Sequence, residues 1–177
     1  LAQSASHAER YRALGAPHVT ATGNLKLDVP EPPADADGLA ALKAAVGERT
    51  VIAAASTHAG EETMLIEAHR RLRGSFPGLL TIVAPRHPDR GPGILEMAHA
   101  ADLKAALRSR GELPAADADL YVADTLGELG LIYRVAPIVF VGGSLASHGG
   151  QNPIEPIKLG AAILHGLNVS TFAEIYA

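Results

Sequence analysis

The sequence predicts an α/β protein built on an open, parallel, Rossmann-like sheet. Three observations predict it. Five short apolar runs are continuous instead of alternating and are bounded by Gly, Pro or Asp. That is the pattern of strands covered on both faces of a parallel sheet. Segments with helical spacing separate the runs, which gives the order β-α-β-α-β-α-β-α-β. Hydrophobic residues make up 47% of the 177-residue chain but aromatics only 4%, so the core is substantial and built from small side chains packed closely.

The five runs are Val51–Ser56 (VIAAAS), Leu79–Pro85 (LLTIVAP), Asp119–Asp124 (DLYVAD), Pro137–Gly143 (PIVFVGG) and Ala161–Gly166 (AAILHG). The helical segments are Gly60–Arg73, Ile94–Arg110, Leu126–Arg134 and Ile154–Leu159. In the first, Met64, Leu65, Ala68 and Leu72 fall at helical spacing, and Arg70, Arg71 and Arg73 close the helix where cations suit its dipole. Ahead of the sheet, Ala2–Leu14 reads as a helix and His18–Thr22 as a short strand. The stretch Glu31–Gly38 (EPPADADG) reads as a linker. The expected organisation is therefore a bridge from a leading domain over residues 1–30, a linker over 31–38, and a nucleotide-binding domain over 39–177. The chain starts on Leu, and STFAEIYA at its end opens a helix that stops, so it is read as a piece of a longer protein.

Composition narrows the function. A net charge of −4 and few aromatics argue against a nucleic-acid module. The absence of Cys excludes disulfides, thiolate metal sites and a thiol nucleophile. No apolar run approaches the ~18 residues that a membrane-spanning helix needs.

In an open parallel sheet, ligands bind beyond the carboxyl ends of the strands. Polar and permissive residues gather there four times: Ser56-Thr57-His58-Ala59-Gly60-Glu61-Glu62, Pro85-Arg86-His87-Pro88-Asp89-Arg90, Asp124-Thr125-Leu126-Gly127-Glu128, and Gly142-Gly143-Ser144 through Gly149-Gly150-Gln151-Asn152-Pro153-Ile154-Glu155-Pro156. Each has a structural role available. Thr125 and Glu128 fit a capping box. Ser56 and Thr57 can cap the helix near Gly60, with Glu61 and Glu62 favouring its positive end. Asn152 reads as an N-cap, Pro153 as the first helical residue and Glu155 as the residue that reaches back, with Pro156 making the turn irregular. Each also has a binding role. Helix starts suit phosphate, glycines admit a ligand close to the backbone, Arg86 can clamp a phosphate or carboxylate with two hydrogen bonds, and Glu128 or Glu155 can accept from a ribose or a base. Together these describe a nucleotide or sugar-nucleotide pocket with no Walker lysine motif and no GxGxxG. The two D-x-D patterns, Asp35–Asp37 and Asp117–Asp119, read as solvated loop acids. His58, His87 and His148 all follow strands and can meet in space; hydrogen bonding is favoured over a zinc triad, and no metal is expected.

With these residues in view, the chain resembles the 3-deoxy-D-manno-octulosonic acid (Kdo) transferases. The resemblance rests on GNLKLD at Gly23–Asp28, ASTHAGEE at Ala55–Glu62, VAPRHPDR at Val83–Arg90, DTLGELGLIY at Asp124–Tyr133, FVGGSLASHGGQNPIEP at Phe140–Pro156 and the final TFAEI. It implies a GT-B glycosyltransferase, of which this chain is the C-terminal, donor-binding half. The donor is then CMP-Kdo and the acceptor a lipid A precursor (lipid IVA) of lipopolysaccharide synthesis, at the cytoplasmic face of a Gram-negative inner membrane. No cofactor or metal is implied beyond the donor substrate. By the family's blocks, Pro85 and Arg86, then Leu126, Gly127 and Glu128, then Asn152, Pro153, Ile154 and Glu155 bind CMP, and Ser56, Thr57, His58, Gly143, Ser144 and His148 are further candidates. The family's catalytic base is a Glu of the N-terminal half, outside this chain, so the chain alone is expected to bind and not to transfer. One block departs: where the family carries a Gly-Pro-His-x-x-Asn-Phe-like run, this chain has His165-Gly166-Leu167-Asn168-Val169-Ser170-Thr171-Phe172, which puts a donor contact from that loop in doubt. The rivals are another GT-B enzyme, such as a UDP-sugar transferase or epimerase, and a non-catalytic nucleotide-binding domain.

Overall fold

The buried runs pair into one parallel sheet of six strands, in a computed structural model that describes residues 1–176. The strands are β1 Val51–Thr57, β2 Leu80–Pro85, β3 Ala105–Leu107, β4 Leu120–Val122, β5 Ile138–Val141 and β6 Ala162–Leu164, in the spatial order β3-β4-β2-β1-β5-β6. Neighbours pair parallel throughout, for example Ala53 with Ile82 on one side and Val139 on the other. The open α/β sheet expected from the sequence is the sheet found, with one more strand.

That strand is β3. The sequence predicts one helix through residues 94–110. The helix found, α4 (Gly91–Ala100), ends ten residues earlier, and Asp102 adopts φ 56, a left-handed conformation that cannot continue it. Ala105–Leu107 then pairs with β4. The expected strand over His18–Thr22 reduces to a single bridge between Ala21 and Ala2.

Two compact units divide at residue 30. In the first, Ser4 caps α1 (Ala5–Ala13) by accepting from the His7 N–H at 3.2 Å. Asn24 caps a short 3-10 turn at Leu25–Leu27.

In the second unit, α2 (Ala36–Val46) begins inside the stretch read as linker, with the Asp35 carboxylate accepting from the Gly38 N–H at 2.7 Å. The remaining helices are α3 (Glu61–Leu72), α5 (Leu129–Val135), α6 (Ile154–Lys158) and α7 (Ala173–Tyr176). Strand residues alternate between two faces. One face, with Ala53, Ala55, Leu80, Ile82, Tyr121, Val139 and Val141, packs on Leu42 and Val46 of α2 and Leu131 and Ile132 of α5. The other, with Val83, Leu120 and Val122, packs on Ile66 of α3 and Ile94, Leu95 and Ala98 of α4. Each fully buried Leu or Ile contributes roughly 1.5–3 kcal/mol. The alanines of β1 are 0–1% exposed, so their small side chains set how closely the helices approach.

The apolar stripe of α3 is only partly enclosed. Met64, Leu65, Ala68 and Leu72 line a cleft of about 300 Å³ shared with Ile52, Phe140, Leu145 and Leu164. The residues of α3 that are buried are Glu61, Glu62, Ile66 and His69. Two acids at the start of a helix are thus among its most enclosed side chains, and the site explains why.

Candidate functional site

The sheet changes winding direction between β1 and β5. The chain leaves β1 toward β2 on one side and returns, after β4, to the other side at β5. Such a switch opens a crevice at the carboxyl ends of the two strands, where open α/β sheets bind ligands. Here it is bounded by Ser56–Gly60 and Gly142–Gln151.

β1 ends in a bulge. The register with β2 slips between Ala55 and Thr57, and Ser56 takes φ 57. The bulge turns the Thr57 side chain into the interior, where it is 0% exposed and donates to Glu62 Oε1 at 2.8 Å. Arg90, from the loop after β2, grips the same carboxylate with two bonds of 2.6 and 2.9 Å. Neither Ser56 nor Thr57 caps α3; its N-cap is Gly60, with no side-chain bond.

Glu61 is 1% exposed. Its Oε2 accepts from the backbone N–H groups of His58 and Gly143, both at 2.8 Å, and its Oε1 from those of Ser144 and Leu145, at 3.1 and 3.0 Å. An enclosed carboxylate costs several kcal/mol in lost hydration. Four bonds to a charged acceptor, at roughly 1.5–3 kcal/mol each, offset it. Gly143 presents its N–H at φ +69, a conformation that favours glycine.

The glycines of this loop are approached by the chain itself. A Cβ on Gly142 would lie 2.4 Å from the Ser56 carbonyl oxygen, and one on Gly149 would lie 2.4 Å from Thr171 Oγ1. Ser144 is fully buried; its hydroxyl donates to the Val141 carbonyl at 2.6 Å and accepts from the Gly166 N–H at 2.9 Å. The loop where the family run is altered is stitched to the β5 loop by the Gly166 bond to the Ser144 hydroxyl and by the Asn168 and Thr171 N–H groups, which donate to the Ser144 and Gly149 carbonyls at 2.9 Å; none of these needs proline or histidine.

Three of the sequence candidates meet as imidazoles. His58 stacks on the exposed His148 with ring centres 4.0 Å apart and faces the edge of His87 at 6.1 Å. Gln151 Nε2 lies 3.1 Å from His58 Nε2, a bond the amide donates when the imidazole is neutral. Burial, and then the charges of His148, His87 and Arg90, hold the His58 pKa below the ordinary imidazole value, against the pull of Glu61. The rings stack instead of converging, and among the described residues no group of three ligands is placed to hold a metal.

Beside the crevice, Pro85 is buried at the end of β2 opposite Thr57, and the Arg86 N–H donates to the Thr57 carbonyl at 3.0 Å. The Arg86 side chain is exposed and is bonded to no other described residue. Past β4, Leu126 is 79% exposed and Gly127 turns at φ +79. Thr125 and Glu128 do not form a capping box. Glu128 is itself the N-cap residue of α5, and its carboxylate turns sideways to accept from the Thr125 hydroxyl and from Arg108 at 2.7 and 3.0 Å. The Arg108 bonds, first of all, hold the Glu128 pKa below the usual carboxylate range. Arg108 was concealed in the predicted helix; β3 is what delivers it to this edge.

Asn152 makes the bond expected of a capping residue, although the helix proper begins one residue later than the sequence suggests. Pro153, which directly precedes Ile154, has helical dihedrals and no side-chain bond, and Asn152 Oδ1 accepts from the Ile154 N–H at 3.1 Å. Pro153 and Ile154 are buried, and Glu155 is half-buried without the expected return bond to Asn152. Pro156 is accommodated as the third helical residue, where the first N–H groups of a helix have no partner within it. The structure thus gathers Ser56, Thr57, His58, Pro85, Gly143, Ser144 and His148 around the crevice. Glu128 lies on the same edge, with β2 between its strand and β1. Sequence reasoning missed Glu61's grip on the β5 loop, the Glu62–Arg90 pair and Arg108.

No family model matches the chain. It is 36% identical to the 3-deoxy-D-manno-octulosonic acid transferase of Haemophilus influenzae over 180 residues, covering 99% of this chain and 42% of that protein. It is 39% identical to the transferase of the same name from Bordetella pertussis, covering 98% of this chain and 41% of that one. Among solved structures, the C-terminal CMP-Kdo binding domain of WaaA from Acinetobacter baumannii is 36% identical and superposes with a TM-score of 0.74, over 79% of this chain and 74% of that domain. The chain belongs to the Kdo transferase family. It spans about two fifths of the length of the curated relatives it matches, and its likeness is to their C-terminal, GT-B half. Of the blocks that carry the resemblance, ASTHAGEE forms one wall of the crevice, VAPRHPDR follows the neighbouring strand β2, and NPIEP follows the glycine loop that forms the other wall.

Proposed function

We propose that this chain binds CMP-Kdo at the carboxyl edge of its sheet. It is the donor half of an enzyme whose full-length form transfers Kdo to a lipid A precursor. The observation that carries this reading is the likeness to a CMP-Kdo binding domain at 36% identity, with the Arg86 side chain exposed just past the carboxyl end of β2, the strand next to the switch point.

In this reading Arg86 holds the donor phosphate or the Kdo carboxylate with paired N–H groups and supplies charge that a metal supplies elsewhere. Glu128 and Glu155 accept from the ribose hydroxyls or the cytosine amine. Glu128 Oε2 already accepts from both Arg108 and Thr125, but Oε1 accepts only from Arg108 and retains a second lone pair for the nucleotide. The acceptor hydroxyl loses its proton to a Glu of the N-terminal half and attacks the anomeric carbon. The bond to the phosphate oxygen breaks, and CMP leaves with the charge that Arg86 stabilises. This chain by itself then binds donor without transferring. The acceptor site and the contact with the inner membrane belong to the rest of the protein; among the described residues no helix is long and apolar enough to cross a membrane.

The test is Arg86→Ala in the full-length protein. Losing a charge-stabilising donor of this kind costs about 10²–10³-fold in turnover, and the thermal midpoint should hold because Arg86 braces nothing. Unchanged turnover contradicts the assignment.

A further inference from the structure

Glu61 is an anion that the chain supplies to itself. Backbone N–H groups that converge on one point in a turn make a seat for a phosphate or carboxylate. The N–H groups of Gly143, Ser144 and Leu145, joined from across the crevice by that of His58, form such a seat, and both oxygens of the buried Glu61 occupy it. The glycine loop is thus closed to the donor's anions. Glu61 also fixes the segment that leads into α6. The Gly150 and Gln151 N–H groups bond back to the Gly143 and Gly142 carbonyls at 2.9 and 3.0 Å, so Gly143, which Glu61 holds by its N–H, and its neighbour Gly142 register the start of the Gln151–Glu155 segment. We propose that Glu61 is a positioning residue for the donor: its carboxylate fills the seat and locks the β5 loop against the β1 loop, setting the place of Asn152–Glu155. The proposal rests on the CMP-Kdo reading for the ligand; the seat itself does not.

The experiment uses this chain with CMP and with sodium formate as a free carboxylate. Glu61→Ala empties the seat. It is expected to weaken CMP binding at least tenfold by calorimetry well below its melting temperature. Formate at about 0.1 M should restore most of that affinity, which equal sodium chloride should not. Formate should also shift the Gly143, Ser144 and Leu145 amide resonances of the variant. A control, Ile94→Ala in the buried core under α4, should lower the melting temperature and leave CMP affinity unchanged. Wild-type CMP affinity in a folded Glu61→Ala, or no response of affinity or amides to formate, overturns the proposal. Should that variant not fold, Glu61→Gln keeps the volume but sets an amide NH2 against two N–H donors, and wild-type affinity there overturns it equally. In the unaltered chain the same three amides should resist hydrogen exchange, and exchange as fast as in an open loop also counts against it. If the unaltered chain binds no CMP, the donor reading fails, while formate and exchange still decide on the seat.

Discussion

Replacing Arg108 by Met should cost this domain about 2 kcal/mol, and the reason is where its guanidinium sits. It makes two bonds to Glu128, at 2.7 and 3.0 Å, with the two side chains 25% and 28% exposed. A fully exposed pair contributes roughly 0–1 kcal/mol, and breaking a fully buried one costs about 3–5 kcal/mol. The geometry here lies between those limits, hence the value of about 2 and a coupling of ~1 kcal/mol in a cycle with Glu128→Gln. At roughly 2–4 °C per kcal/mol for a domain of this size, the melting temperature should drop by about 4–8 °C. The pH dependence has a definite sign. The folded state holds the Glu128 pKa down, so the pair's contribution is complete above the unfolded carboxylate value and is lost as pH falls through the folded one. Arg108→Met should therefore destabilise fully at pH 7 and much less near pH 3. Urea unfolding of the two single variants and the double variant at both pH values measures this. A coupling below ~0.5 kcal/mol, or an equal loss at both pH values, would refute the reasoning.

The crevice supports two further outcomes. Gly142→Ala drives a Cβ to within 2.4 Å of the Ser56 carbonyl; backbone faces it, so a loss of about 1–3 kcal/mol is expected on urea unfolding, and unaltered stability would contradict the packing. His58 titrates below the ordinary imidazole value, first by burial and then by the charge of His148. Protonating it therefore disfavours the folded state, and stability should decline as pH falls from about 6.5. His148→Ala should raise the His58 pKa by NMR titration, and a His58 that already titrates at or above the ordinary value would refute the account.

Much of the fold was legible because short continuous apolar runs such as VIAAAS and LLTIVAP, flanked by turn-forming residues, have the length and pattern of strands buried on both faces. β3 was not: Ala105-Ala106-Leu107 has no β-branched residue, suits a helix equally, and owes its conformation to pairing with β4. α2 was hidden because its opening, Asp35-Ala36-Asp37-Gly38, has the composition of a loop. In the site, the blocks ASTHAGEE, VAPRHPDR and NPIEP could be read, but the bonds among them could not. Thr125, Glu128 and Asn152 all have capping chemistry; Thr125 and Asn152 use it locally, on the Glu128 carboxylate and the Ile154 N–H, while Glu128 turns to Arg108, which only the fold brings near. Glu61 carried the least signal: an acid at the start of a helix is ordinarily a solvated group favoured by the dipole, and only the meeting of the β1 and β5 loops reveals four N–H groups aimed at it.

The central claim is that CMP-Kdo binds across the carboxyl ends of β1, β2, β4 and β5. Titration of this chain with CMP, tracked residue by residue through amide chemical shifts and compared with UMP and GMP, tests it most directly. The account predicts saturable shifts for CMP at Arg86, Gly127–Glu128 and Asn152–Glu155, with weaker responses to UMP and GMP. No saturable response to millimolar CMP, or one centred on the apolar cleft beside Met64 and Leu164, would contradict it.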